Sequence, residues 1–507
     1  MKKSALTFLF IIMCLDSFSQ QGFYHTFSDP DRKTWRVGDV LETENGFMLS
    51  LRNQSSLKKE SKVIKMSSEG VFLGEMCLSA TDTAINLCNL FPSTGDSGSV
   101  EGLAVCTTSD DSAMLLTLRI DGDLNVLSRS MASLPNSDSM DYWLDDYRFL
   151  QTTDGYFALL SYKGQLNEKE IKLCKISNEG IVTQVERMED SLASYVANIF
   201  HIHDDSTGFG IFLRKRQIQG THVNSCAMLY DADLQLKGIY DISNWYEDDG
   251  HGNVYMGDLS LYNSMMCPSP DGGYYISSRL NETSLAGTTI VDDQSSVLAK
   301  TDSAFQICPQ YCIIGHLNDT VEAPSFYRSV DINENGMVFQ CSMQNIIFSS
   351  WPYGSNGTHL VVTKTDPDLN VLWQKRFMKD GNIYSAFQTM ATSDGGCLIV
   401  GNVYDHNPEL CQDVFALKID ADGTVGLDEI QEENIAFVYP NPAKGTLKIG
   451  GVEAKESHIY NALGQCVMSF QGNEANVQKL AIGAYLLKIA DHEGKTQTLR
   501  LIVDKTN

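Results

Sequence analysis

The chain has 507 residues, of which 43% are hydrophobic and 20% charged, so it has the composition of a folded globular protein and is too long for one small core. Its formal net charge is −26, from 38 basic and 64 acidic residues that are spread along the sequence. Such a field repels phosphate backbones and offers no basic stripe, which argues against nucleic-acid binding.

Residues 1–19 have the pattern of an export signal peptide. Lys2 and Lys3 supply a positive start, residues 5–15 are apolar, and Ser17 and Ser19 are small. The apolar run is too short to span a bilayer, and no later stretch is long and apolar enough. We therefore predict a secreted or surface-attached protein that has no transmembrane segment.

A turn that ends in glycine and leads into an apolar strand occurs seven times. The glycines are Gly46, Gly102, Gly155, Gly208, Gly273, Gly336 and Gly396. In each copy a second strand follows, and in six copies it ends near a basic residue, with Leu229 in that place in the fourth copy. These residues are Lys65, Arg119, Lys175, Lys300, Lys364 and Lys418. A third strand comes after the next turn, and a fourth precedes the following glycine.

The repeat predicts an all-β fold. Its segments are short apolar runs, rich in β-branched and aromatic residues and separated by Gly, Asp and Asn. Seven units of four strands over residues 22–427 indicate a seven-bladed β-propeller. The strand at residues 22–27 is predicted to complete the last blade, with residues 424–430 as the alternative.

Catalytic and metal-binding motifs are missing from the sequence. It contains no HExxH, Walker or GxSxG pattern, and its cysteines and histidines do not form a zinc-binding set. We therefore nominate no catalytic residue and no metal ligand. His201 and His203 are better explained as structural, and the cofactor is unknown, with structural calcium in the acidic turns as an alternative.

Long loops between predicted strands carry aromatic and acidic residues that suit a sugar ring or a peptide. The loops span residues 240–262, 280–295, 342–358 and 402–413. The candidate ligand-binding residues are Trp245, Tyr246, Asp248, Asp249, His251, Trp351, Tyr353 and Tyr404. We predict a glycan- or protein-binding module. The alternatives are a glycan hydrolase or lyase that uses Asp248 or Asp249, and a structural envelope component; the same side chains could also simply pack the loops.

The composition changes after an acidic linker at residues 428–437. Residues 438–507 read as alternating strands of a small Ig-like β-sandwich with a proline-fixed entry and glycine turns. The landmark residues are Tyr439, Pro440, Asn441, Pro442, Tyr460, Asn461, Gly464, Gln465, Gly483 and Tyr485.

In the order and spacing of these landmarks, the module resembles the type A C-terminal sorting domain of the type IX secretion system of Bacteroidetes. The resemblance implies that the secretion machinery recognises this module and exports the chain across the outer membrane. It also implies removal of the module by a dedicated protease, followed by attachment to surface lipopolysaccharide or release. What the preceding repeat does is not implied by it.

Overall fold

The computed structural model describes most of the chain after the predicted signal peptide. The described residues are 22–29, 34–53, 60–96, 98–108, 112–138, 143–164, 169–188, 195–202, 205–214, 225–242, 245–248, 254–284, 291–314, 322–346, 358–379, 381–405, 412–425 and 431–504. The predicted signal peptide lies outside them. Among these residues, no helix is long and apolar enough to cross a membrane.

The described residues from 22 to 434 form seven antiparallel sheets, and the first strand, β1 (Phe23–Phe27), belongs to the last of them. Sheet 1 contains β2 (Trp35–Thr43), β3 (Gly46–Asn53), β4 (Ser61–Met66) and β5 (Phe72–Leu78). Sheet 2 contains β6 (Thr83–Pro92), β7 (Ser99–Thr108), β8 (Ala113–Asp121) and β9 (Val126–Ser133). Sheet 3 contains β10 (Trp143–Thr152), β11 (Gly155–Lys163), β12 (Lys169–Ser177) and β13 (Val182–Arg187).

Sheet 4 contains β14 (Tyr195–Ile202), β15 (Asp205–Arg214), β16 (Ser225–Tyr230) and β17 (Leu236–Ile242). Sheet 5 contains β18 (Trp245–Asp248), β19 (Val254–Pro268), β20 (Tyr274–Ser284), β21 (Val291–Thr301) and β22 (Ile307–Ile314). Sheet 6 contains β23 (Ala323–Pro324), β24 (Val330–Ile332), β25 (Val338–Gln344), β26 (His359–Thr365) and β27 (Val371–Met378), and sheet 7 contains β28 (Asn382–Ala391), β29 (Cys397–Asp405), β30 (Gln412–Ile419) and β1. A further strand, β31 (Gln431–Asn434), extends sheet 6 on the outer side of β27.

Buried apolar side chains fill the space between each sheet and the next. Met48 of sheet 1 packs in one cluster with Leu87 of sheet 2. Similar clusters follow for the later pairs of sheets. The last cluster joins Phe47 of sheet 1 to Leu398 of sheet 7, so the series of sheets closes on itself in a β-propeller-like arrangement.

The N-terminal strand closes this arrangement, and the prediction that it completes the last sheet is confirmed. β1 pairs antiparallel with β30 from Phe23 opposite Lys418 to Phe27 opposite Val414. Tyr24 is 2% exposed and stacks on Phe415. The first and last strands of the repeat therefore share one sheet and one core.

Four of the seven repeated glycines, Gly46, Gly155, Gly273 and Gly396, stand where the second strand of a sheet starts against the end of the third. A Cβ on Gly155 would lie 2.1 Å from the carbonyl oxygen of Ile176, and the φ of Gly155 is +141°. The equivalent Cβ on Gly396 would lie 2.1 Å from the carbonyl oxygen of Ile419. Only glycine allows this close approach, which explains why the repeat carries it.

Four of the six repeated basic residues tie neighbouring sheets together. Lys65 Nζ donates to the carbonyl oxygen of Gly122, which belongs to a turn of the next sheet, at 2.5 Å. Lys175 makes the same contact with Ala232 at 3.1 Å. Lys418, in the last copy, instead pairs with Asp394 of its own sheet at 2.7 Å. The basic residue that marks the repeat therefore has a structural role.

Sheet 5 differs from the sequence prediction. Much of residues 240–262 and 280–295, which were predicted to be long loops, lies in the extended strands β18 to β21. Asn, Asp and Gly are frequent there and favour loops, but pairing from Tyr255 opposite Ser284 to Pro268 opposite Tyr274 provides the ladder that stabilises the strands. Likewise, part of the predicted linker forms β31.

The described residues from 437 to 504 form two sheets around one core. The first contains β32 (Phe437–Tyr439), β33 (Thr446–Gly450) and β36 (Glu474–Asn476). The second contains β34 (Ala454–Tyr460), β35 (Cys466–Phe470), β37 (Gly483–Asp491) and β38 (Thr496–Val503). Leu447, Ile459, Leu487 and Leu501 are fully buried between them.

Candidate functional site

The innermost strand of most sheets carries a β-bulge near the common axis. The pairing register shifts between Val37 and Val40, Leu87 and Asn89, Leu144 and Asp146, Val196 and Asn198, and Ala386 and Gln388. A bulge re-aims side chains and leaves backbone groups without ladder partners. At each of these bulges a polar residue is present, namely Asp39, Asn89, Asp146, Asn198 or Gln388.

Several of these polar side chains hydrogen-bond to the neighbouring sheet. Asn89 Nδ2 donates to Asp39 Oδ2 at 3.2 Å. Asn198 Nδ2 donates to the carbonyl of Met266 at 3.0 Å, and the Met266 amide donates back to Asn198 Oδ1 at 3.2 Å. Gln388 Nε2 donates to the carbonyl of the residue before Asp39 at 2.6 Å. The bulges therefore join the inner strands of neighbouring sheets around the axis.

Sheet 6 contributes to the axis in a different way, because its inner strand is interrupted between β23 and β24. The intervening residues bond to β28 of sheet 7: the Tyr327 amide donates to the carbonyl of Phe387 at 2.9 Å, and the Thr389 amide donates to the carbonyl of Arg328 at 2.7 Å. Both Tyr327 and Arg328 line the axial cavity described below.

Arg328 lies between two buried carboxylates. Its Nη2 is 3.3 Å from Asp39 Oδ1, and it also interacts electrostatically with Asp331. Burial raises the pKa of both Asp39 and Asp331, although the charge of Arg328 acts in the opposite direction. Asp39 also accepts hydrogen bonds from the amides of Val40 and Leu90. Its oxygens are therefore occupied by the scaffold, which suits a structural role better than proton transfer.

An axial cavity of about 500 Å³ lies among the inner strands. All seven sheets contribute to its lining. Its basic lining residues are Arg52, Arg148, His201 and Arg328, and partial burial lowers the pKa of His201. Arg148 is held by Asp146, which its Nη1 contacts. A cavity of this size with a few polar groups among apolar walls can enclose a small ligand or the end of a larger one.

The chemistry available in this cavity is binding through cations and aromatic faces. Tyr147 and Tyr327 lie beside Arg52, whose Nη2 donates to Tyr327 Oη at 3.2 Å. Burial raises the pKa of Tyr147. Within the described part of the chain, no group of three or more His, Cys, Asp or Glu side chains is arranged to hold a metal ion.

The structure describes only some of the ligand-binding residues predicted from the sequence. Trp245, Tyr246 and Asp248 form β18, the edge strand of sheet 5. Tyr404 in β29 is 3% exposed and packs inside sheet 7. Four further candidates, Asp249, His251, Trp351 and Tyr353, lie outside the described residues, as does His203. The aromatic platform remains a prediction.

Sequence reasoning missed the residues of the cavity. A usable signal was present, because a polar residue interrupts the apolar strand before several of the repeat glycines, as Asn89, Asn198 and Gln388 do. Their shared position on the axis depends on bulges that no single-strand pattern reveals. Of the two histidines that the sequence analysis explains as structural, His201 lines the cavity and His203 lies outside the described residues.

The landmark residues of the C-terminal module maintain its fold. Asn441 accepts a hydrogen bond from the Ile502 amide at 2.8 Å and donates to the carbonyl of Arg500 at 3.2 Å, which fixes the entry segment to β38. Asn461 Oδ1 accepts from the Gln465 amide at 2.9 Å, and Gly464 has a φ of +74° in the same turn. These contacts explain the Asn and Gly positions of the motif.

Several solved structures show a weak similarity to the chain. The WD40 domain of SCAP from fission yeast is 10% identical, with 78% of this chain and 98% of that chain covered and a TM-score of 0.35. Drosophila Plexin A, solved in complex with Semaphorin 1b, is 8% identical, with coverages of 79% and 88% and a TM-score of 0.41. The GH93 alpha-L-arabinofuranosidase of Fusarium graminearum, solved with arabinobiose, is 11% identical, with coverages of 78% and 98% and a TM-score of 0.32. These scores are too low to support any inference about function.

No curated protein matches the chain. A protein-family model does match its end: residues 437–504 correspond to the secretion system C-terminal sorting domain. The resemblance of this module to a sorting domain is therefore confirmed, and it indicates secretion or attachment to the cell surface. Residues 437–504 are a secretion system C-terminal sorting domain that follows a β-propeller-like repeat.

Proposed function

We propose that the protein is a seven-bladed β-propeller over residues 22–427, exported by the type IX secretion system, that binds a glycan in its axial cavity. The observation that carries this proposal is the cavity of about 500 Å³ to which every sheet contributes. A partly open cavity of this size fits one or two sugar units or a peptide end, whereas a folded protein surface could not enter it.

Two further features favour binding over catalysis. The carboxylate of Asp39 is fully engaged by backbone amides, Asn89 and Arg328, so it is poorly placed to exchange protons with a substrate. The cavity lining also contains three arginines and two tyrosines, which hold ligands through hydrogen bonds and stacking.

A glycan array with the purified full-length protein tests the proposal. The His201 side chain has no hydrogen bond within the described residues, so it can be replaced without breaking one. His201→Trp places a larger ring in the cavity and is expected to abolish glycan binding. Val126→Trp adds the same ring on the exposed face of β9 and should leave binding unchanged. Binding that survives His201→Trp would refute the cavity as the site. Loss on Trp245→Ala or Trp351→Ala would instead favour the loop platform, and polysaccharide turnover lost on Asp248→Asn would favour a hydrolase or lyase.

We further propose that residues 438–507 form an Ig-like sandwich. This sorting domain would direct export across the outer membrane and then be removed. Attachment to surface lipopolysaccharide or release would follow. Deletion of residues 437–504 is expected to keep the protein inside the cell envelope, as cell fractionation would show. A deleted chain that still reaches the surface or the medium would contradict this role.

A further inference from the structure

Two arginines face each other in sheet 1, and one of them, Arg52, lines the axial cavity. Arg36 on β2 is directly opposite Arg52 on β3 in the pairing register. Both guanidinium groups lie over the ring of Tyr327, with their Cζ atoms 5.2 Å and 5.6 Å from its centroid. Like charges placed directly opposite on neighbouring strands destabilise a sheet, so this arrangement calls for an explanation.

Neither guanidinium is neutralised by the protein. Among the described residues, no carboxylate lies within 4.0 Å of Arg36 or Arg52, although the chain has 64 acidic residues. The buried Nε of each has no hydrogen-bond partner among those residues. Arg328, by contrast, pairs with Asp39, and Arg148 with Asp146. Buried donors without partners carry a desolvation cost that a bound acceptor would remove.

The ligand group that fits this pair is a single anion with oxygen acceptors. A guanidinium presents a planar fork of donors that matches a carboxylate or sulfate. The ring of Tyr327 contacts both guanidinium groups and so keeps the two charges near each other. The net charge of −26 repels a long polyanion, so one charged group on a short ligand is favoured over a charged polymer.

We propose that Arg36 and Arg52, both packed on Tyr327, bind the carboxylate or sulfate ester of one acidic sugar unit beside the axial cavity. The proposal rests on the proposed glycan-binding function and specifies its ligand class. The arginine pair is then a ligand-binding element whose mutual repulsion is relieved when the anion is bound.

Isothermal titration of the full-length protein with glucuronate, glucose 6-sulfate and glucose tests the proposal. At least one of the two anionic sugars should bind about 10- to 100-fold more tightly than glucose, the range expected for charged hydrogen bonds. Arg36→Met and Arg52→Met should each weaken that binding by about 10-fold or more. Arg129→Met, which removes an exposed arginine from β9, should have no effect. Arg36→Lys keeps the charge but loses the fork, and an intermediate loss is expected.

Thermal unfolding without ligand separates a binding role from a structural one. Because Arg36 and Arg52 repel each other, Arg36→Met should leave the Tm unchanged or raise it, while the increase in Tm caused by the anionic sugar should disappear. A lower Tm with unchanged sugar binding would show that Arg36 only packs on Tyr327, and would overturn the proposal.

The remaining outcomes distinguish this proposal from the proposed function. Equal binding of glucose and both anionic sugars would overturn the anion site and leave the glycan-binding cavity in place. The same conclusion would follow if the array showed binding to neutral glycans alone and His201→Trp abolished it. Binding of polygalacturonate without glucuronate or glucose 6-sulfate would overturn the single-anion ligand, and a preference for an oligoglutamate peptide would overturn the sugar. An array and titrations without any binding would overturn both proposals.

Discussion

Lys418 and Asp394 form a buried ion pair in sheet 7, and its disruption should measurably destabilise the repeat. The Lys418 side chain is 0% exposed and that of Asp394 is 11% exposed, with 2.7 Å between Nζ and Oδ2. Lys418→Met leaves the carboxylate buried beside an apolar group. Removing one partner of such a pair costs about 3–5 kcal/mol. For a cooperative unit of about 400 residues, this corresponds to a Tm lower by roughly 4–6 °C.

The assay is thermal unfolding followed by circular dichroism at several pH values. Burial is the largest single influence and opposes ionisation of Asp394, but the hydrogen bond and charge of Lys418, together with hydrogen bonds from Thr392 and the Gly396 amide, lower the pKa of the carboxyl group below its usual value. The stabilisation is therefore present above the ordinary Asp pKa of about 3.9 and is lost as the pH falls through the folded value. The difference between the wild type and Lys418→Met should shrink in acid.

Two further variants decide whether this reasoning is correct. The double variant Asp394→Asn with Lys418→Met removes the orphaned charge and should recover most of the lost Tm. Lys237→Met breaks an exposed pair with Asp231, in which the lysine is 63% exposed, and should cost less than about 1 kcal/mol. A double variant as unstable as Lys418→Met, or a Lys418→Met shift no larger than that of Lys237→Met, would refute it.

Three other variants test the closure, the repeat and the axial cluster by thermal unfolding. Tyr24→Ala should cost about 3–5 kcal/mol because its ring is buried against Phe415, whereas exposed Thr26→Ala should cost little; equal effects would argue against β1 as part of the core. Gly155→Ala adds a Cβ that meets the Ile176 carbonyl, so it should lower the stability by more than the roughly 1–3 kcal/mol of backbone strain alone. Gly381→Ala also has a positive φ but adds its Cβ in open space, and similar losses of stability in the two variants would contradict the contact. Asp331→Asn should match the wild type in acid and become relatively more stable as the pH rises, because a raised carboxyl pKa removes stability above the ordinary value; a constant difference would disagree.

The fold was more predictable than the site because the two depend on different ranges of contact. In four of the repeats the glycine is required by a carbonyl within its own sheet, as at Gly155 and Ile176, so it leaves a local pattern in the sequence. The contact of Gln388 with the backbone of β2 joins residues about 350 positions apart, and no local pattern contains it. The pairing of Arg36 with Arg52 depends on the register after a bulge, which the sequence does not show.

The prediction of loops in place of the long strands of sheet 5 was wrong for another reason. Asn, Asp and Gly between β18 and β21 have low strand propensity, and a prediction based on propensity assigns such residues to loops. The neighbouring strand pairs with Tyr255–Ser260 and again with Met265–Pro268, and this pairing outweighs the local preference. The prediction that β1 completes the last sheet was correct because the sequence of the last repeat has no clear outer strand, while an additional strand precedes the first repeat.

The pairing of β1 with β30 has a consequence for how the chain is delivered. Phe23 and Lys418 are about 400 residues apart, so the ring cannot be completed until almost the whole repeat has left the pore or ribosome that releases it. Until then sheet 1 has no neighbour on one side, and the waiting β1 is an unpaired strand that could associate with other chains. The sorting domain follows β30 in the chain, so synthesis or export from the N-terminus can close the ring before the sorting domain has emerged.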